Sequence, residues 1–162
     1  MINTRKATRR ELSFHCTGCL KEELAKIEAA HRAGKVSHTG NWTEGQIFDH
    51  LALSMEHSID GFPPEIKIPL LMRMMGRMFK GMVTSGKTLS PGFSPPKGSE
   101  ALLPKPGVSF EHGLARLRKV IDRLDSGAQC IQASPAFGKM THDEWMRLHM
   151  GHAQLHLGFL AY

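Results

Sequence analysis

The chain has 162 residues, 41% of them hydrophobic and 22% charged, the composition of one globular domain over residues 1–162 that can bury a core without disulfides. A formal charge of +6 favours anionic partners in general, but the basic residues are scattered apart from Arg5, Lys6, Arg9 and Arg10, and a single Tyr with no aromatic-rich strand gives bases little to stack on, so nucleic-acid binding is not expected. No apolar run approaches the roughly 20 residues of a membrane span, and the basic start MINTRKATRRELSFH is not followed by the apolar core of a secretion signal, so a soluble, cytoplasmic protein is the expectation.

After the basic arm, Cys16 and Cys19 form a CxxC. One such pair is half of a zinc site or a redox motif. With no second CxxC and no thioredoxin-like strands around it, the favoured reading is two small residues at a helix start, kept reduced like Cys130. Leu20, Leu24 and Ile27 recur at helical spacing and predict a first helix from about Cys16 to Arg32, stopped by Gly34. Thr43 with Gln46 makes a capping box, so a second helix runs from about Thr43 to Asp60. Its inward face reads Ile47, His50, Leu51, Ser54, Met55 and Ser58, and a histidine in that apolar stripe must find a partner.

Gly61, Pro63 and Pro64 end the second helix, and the methionine-rich IKIPLLMRMMGRMFKGM follows. Methionine suits surfaces that adapt to what they touch. The segment reads as a helix packed on the body or at a dimer contact, as a mobile lid over a pocket for an apolar substrate, or as a basic amphipathic helix on a membrane surface. Residues 84–107 carry five prolines and read as a long irregular connection. Phe110, Leu114, Leu117, Ile121 and Leu124 then predict a core helix between an N-cap at Ser109 and Gly127, with His112 off the stripe and solvated.

The last stretch, THDEWMRLHMGHAQLHLGFLAY, predicts a helix from a second capping box, Thr141 with Glu144, to the end of the chain, weakened only at Gly151 and Gly158. Trp145, Leu148, His152, Leu155 and Phe159 share one face, and His156 lies one turn beyond His152. Two imidazoles at i and i+4 are the spacing by which one helix offers two nitrogens to a single metal ion; the alternative is that both are buried polar residues satisfied by carbonyls or water. Four amphipathic helices with no convincing strand predict an all-α fold, a four-helix bundle with a long Met- and Pro-rich connection between helices two and three.

The stretches GNWTEGQIFDHLALSMEHSIDGFP and SPAFGKMTHDEWMRLHMGHAQLHLGFL resemble the DinB/YfiT-like metalloenzyme superfamily, most closely a branch described only as a domain of unknown function. The most specific parts are the Trp and His-Leu pattern of the second helix and the HxxxH of the last. The resemblance implies a four-helix bundle, commonly a homodimer, in which His50, His152 and His156 hold a divalent metal such as zinc, nickel or iron. It also implies a small-molecule substrate and, from branches that use low-molecular-weight thiols, a thiol cofactor. The insert between helices two and three is longer than in compact members.

Three neutral imidazoles leave a divalent ion an open position, the arrangement of a catalytic rather than a structural site, from which a water or a thiol can be activated. The chain thus reads as a metal-dependent transferase or hydrolase, or as a bundle that binds metal or ligand without turnover, as a sensor or carrier. No catalytic acid or base is legible: Asp49 points off the His50 face, and Glu56, Asp60 and Glu144 are candidates only by proximity in sequence. His149 and His57, each seven residues from a proposed ligand, read as groups that support the ligands from outside or face solvent.

Overall fold

The structure is a computed structural model that describes residues 2–92 and 99–162. Among these residues five α-helices run in the order α1 (Thr17–Arg32), α2 (Glu44–Asp60), α3 (Leu70–Val83), α4 (Phe110–Asp125) and α5 (His142–Leu157). The fifth is α3, in the methionine-rich segment, for which a helix is one of the readings, and it stands in addition to the four amphipathic helices expected. Both predicted capping boxes are present: Thr43 and Gln46 exchange backbone and side-chain hydrogen bonds at the start of α2, and Thr141 and Glu144 do so at α5.

Leu20, Leu24 and Ile27 of α1, Ile47, Phe48, Leu51 and Met55 of α2, Leu117 and Ile121 of α4, and Trp145, Ala153 and Leu157 of α5 meet in one core. The predicted stripes supply most of these. Phe48 and Ala52 are buried as well, because α2 packs against both α4 and α5.

Cross-helix partners fix the directions. Gly45 meets Gly113, Asp49 and Glu56 pair with Arg116, and Asp60 pairs with Arg123, so α2 and α4 run parallel. Lys21 pairs with Asp122 and Asp125 while Glu28 pairs with Arg118, so α1 runs antiparallel to α4. His50 lies beside His152 while Ser58 lies beside His149, so α2 and α5 are antiparallel. At the start of the parallel pair the backbones touch: a Cβ on Gly113 would stand 2.4 Å from the Gly45 carbonyl oxygen, nearer than any Cβ can come.

Parallel neighbours cannot be joined by a tight turn. After the 17 residues of α2, about 25 Å of helix, the chain must return to the same end before α4 can begin. Helix α3 and the segment after it make that return. Helix α3 buries no residue. It docks by its polar edge: Lys80 donates to the Lys139 carbonyl and pairs with Glu144, while Leu70, Leu71, Met74, Met75, Met78, Phe79 and Met82 are exposed. The expected irregular connection over 84–107 holds one regular piece, a 3-10 turn at Glu100–Leu102, and its residues 93–98 lie outside the described ones. Near Lys87 it crosses α5 at Gly151, where any Cβ would stand 2.4 Å from the Lys87 carbonyl.

Two expectations fail at the end of the chain. Helix α5 stops at Leu157 instead of continuing to Tyr162, and Leu160–Ala161 (β2) pairs antiparallel with Ser37–His38 (β1), in the register Ser37 to Ala161 and His38 to Leu160. The cause is the N-terminal arm and the loop after α1, which take the backbone groups a longer helix would have used. The Arg10 amide donates to the Gly158 carbonyl, its guanidinium to the Leu160 carbonyl, and the Thr39 amide to the Phe159 carbonyl.

Candidate metal centre

The antiparallel approach of α2 and α5 brings His50 against His152 and, one turn on, His156. One ligand atom from each ring falls within a group spanning 4.8 Å, and the three ring centroids are 4.7 to 4.8 Å apart. His50 Nδ1 lies 2.8 Å from the Leu102 carbonyl oxygen. A carbonyl only accepts, so Nδ1 carries the proton and Nε2 is left with a free lone pair. That lone pair points at His152 Nε2, 3.0 Å away. Two nitrogens at 2.0–2.1 Å from one tetrahedral ion would be about 3.3 Å apart, so the spacing needs an opening of only a few tenths of an ångström to admit one.

Trp42 closes one side of the group. It stacks on His156 at 5.0 Å with 12° between the rings, and tilts over His50 at 4.8 Å. His152 Nδ1 is buried without a hydrogen-bond partner, and all three residues keep partial access to solvent. Burial pushes the His50 imidazolium down to about 4, against the smaller opposing pull of the Leu102 carbonyl and the Asp49 charge. Burial also holds His152 and His156 well below the usual histidine range, with the neighbouring imidazoles adding to it. All three are therefore neutral at pH 7, the form that coordinates.

The pattern of a family described as protein of unknown function (DUF1569) matches residues 6–162. The chain belongs to DUF1569. The match takes in all the elements that build the three-histidine group of this DUF1569 chain, from Trp42 to His156. No curated protein and no solved structure matches it.

The remaining candidates of the DUF1569 chain sit elsewhere. His149 is buried, stacked on Trp145, with Nε2 2.9 Å from Ser58 Oγ. Ser58 spends its own proton on the Met55 carbonyl, so His149 Nε2–H is the donor and its Nδ1 is left buried and unpartnered. His57 reaches the Gly61 carbonyl through Nδ1 at 3.2 Å. Neither hydrogen-bonds to the three-histidine group, and His149 does not face solvent.

The four carboxylates weighed as acid or base are each engaged in an ion pair: Asp49 and Glu56 with Arg116, Asp60 with Arg123, Glu144 with Lys80. Among the described residues no carboxylate joins the histidines. The group that supports His50 is the Leu102 carbonyl, which no side-chain pattern announces. The only available signal was the general need of a ligating imidazole for an acceptor on its other nitrogen.

Proposed function

We propose that this DUF1569 protein binds one divalent metal ion, zinc, nickel or iron, through His50, His152 and His156, and that α1, α2, α4 and α5 form a four-helix bundle of the DinB/YfiT-like type. The observation that carries the proposal is the pair of facing Nε2 atoms at 3.0 Å, one of them left unprotonated by the Leu102 carbonyl.

Bound there, a divalent ion supplies Lewis acidity toward a water or a small thiol at its open position. The chain's own residues do the rest. Helices α2 and α5 hold the three rings, Leu102 fixes the His50 tautomer, and Trp42 walls the group so that a ligand enters from the remaining side. Thiol-dependent group transfer or hydrolysis on a small-molecule substrate is the chemistry this fits best. Metal or ligand binding without turnover, as a sensor or carrier, is the second reading, and one observation favours it: among the described residues no carboxylate joins the group.

The protein is further proposed to be a homodimer, supported by the apolar face that α3 turns to solvent. Metal analysis of protein purified without chelators tests the site, with one equivalent per chain expected. A metal-free product that takes up none of zinc, nickel or iron under titration would overturn it. A screen of small thiols against electrophilic substrates on the loaded protein then separates enzyme from carrier.

A further inference from the structure

The CxxC ahead of α1 takes no part in the histidine group, and its geometry is more specific than its sequence. Cys16 is the N-cap of α1, with extended backbone at φ −155° and ψ 169°, and its Sγ accepts from the Cys19 amide at 3.4 Å. The two sulfurs lie 3.3 Å apart, and both are free thiols, Cys16 exposed and Cys19 half-buried. A disulfide needs about 2.0 Å, so side-chain rotation alone has roughly 1.3 Å to close.

Two simpler roles fit less well. As a cap, cysteine is a poor substitute for the Ser, Thr, Asp or Asn that this position prefers. As half of a metal site it lacks the other half: no cluster of metal-binding side chains among the described residues includes either cysteine, and His15 turns its Nε2 to Ser13 Oγ at 3.3 Å. Cys130, the third thiol, is fully buried in the core.

We propose that Cys16 and Cys19 are a redox-active dithiol that exchanges with low-molecular-weight disulfides and closes to a 16–19 disulfide. One cysteine attacks a sulfur of the small disulfide as thiolate, forming a mixed disulfide and releasing the first small thiol. The second cysteine attacks its neighbour's sulfur, closes the protein disulfide and releases the second small thiol. Two electrons and two protons pass from the cysteine pair to the small disulfide, which leaves as two thiols.

The surroundings favour the thiolate that starts this exchange. Cys16 Sγ sits at the helix N-terminus and accepts from the Cys19 amide, and the first turn of α1 holds no acidic residue. The Cys19 thiol is lowered from its ordinary value, first by the hydrogen bond from Cys16 and next by the His15 backbone.

The test uses the full chain, reduced and then exposed to oxidised glutathione at neutral pH, quenched by alkylation and read by mass spectrometry of the intact protein and its peptides. The parent should lose two hydrogens, retain no glutathione, and lose alkylation at both Cys16 and Cys19 together. Cys16→Ser keeps a capping hydroxyl, so it folds as the parent does, and it should stop at a stable glutathione adduct on Cys19. A parent that keeps a glutathione on either cysteine, or whose two thiols remain free while the glutathione is mostly oxidised, would overturn the proposal.

Discussion

At His50 a single backbone oxygen selects the chemistry of the ring, since the Leu102 carbonyl takes the proton-bearing Nδ1 and leaves Nε2 to the group. Removing any one ring should leave a two-nitrogen site. His50→Ala, His152→Ala and His156→Ala are each expected to weaken metal retention at least tenfold in a chelator competition, while His112→Ala, exposed on α4, should match the parent. A His152→Ala variant with undiminished metal content would sink the assignment.

The buried imidazoles also set a pH dependence for the metal-free protein. The folded state holds His50 down at about 4 and His149 at about 3, both by burial, against about 6.5 in an unfolded chain. Their folded values are depressed, so below 6.5 the unfolded chain binds more protons. Stability is then complete above that pH and falls as the pH drops from 6.5 toward 3. Denaturant midpoints of chelator-treated protein at pH 7, 6, 5 and 4 should decline in that order, and a flat series would show the rings to be solvated. The HxxxH spacing was legible because it follows from helical geometry, and His50 was legible as a histidine in need of a partner. The partner itself was not, because backbone carbonyls leave no trace in residue type.

Among the elements, the contact between α2 and α4 is the tightest and the most exposed to a single change. Adding a methyl group at Gly113 puts it 2.4 Å from the Gly45 carbonyl, a backbone atom that cannot turn aside, so the helix ends must part. Gly113→Ala should therefore destabilise the fold by about 1–3 kcal/mol in urea titration, although alanine is the better helix former. A stabilised variant would mean that the two helices do not touch there. Capping boxes and apolar periodicity made the starts of α2 and α5 and the stripes of α1 and α4 readable, since each depends on neighbours within a turn. The end of α5 and the two short strands depend on Arg10 and Thr39, more than a hundred residues away in sequence, and two-residue strands are too short to show alternation. Asp49 was rightly placed away from His50, but its burial against Arg116 could not be seen without knowing that α4 runs beside α2.

For the whole molecule, the parallel course of α2 and α4 accounts for the long return through α3, and α3 leaves seven large apolar side chains in water. A second copy of the chain would cover them. Sedimentation should show a species of twice 18.0 kDa for the parent, and Met74→Lys with Met78→Lys should shift it to the single chain without lowering metal content. A parent that stays monomeric at high concentration would count against the dimer. The same topology orders events during synthesis. His50 and His152 are 102 residues apart, so at roughly 5–20 residues per second a ribosome makes the first imidazole about 5–20 s before the second. Until residues 110–125 have been made α2 lacks α4, and throughout the interval it lacks the complete α5. The complete donor set comes into being only once α5 has been made, so any loading through all three rings must wait for that helix.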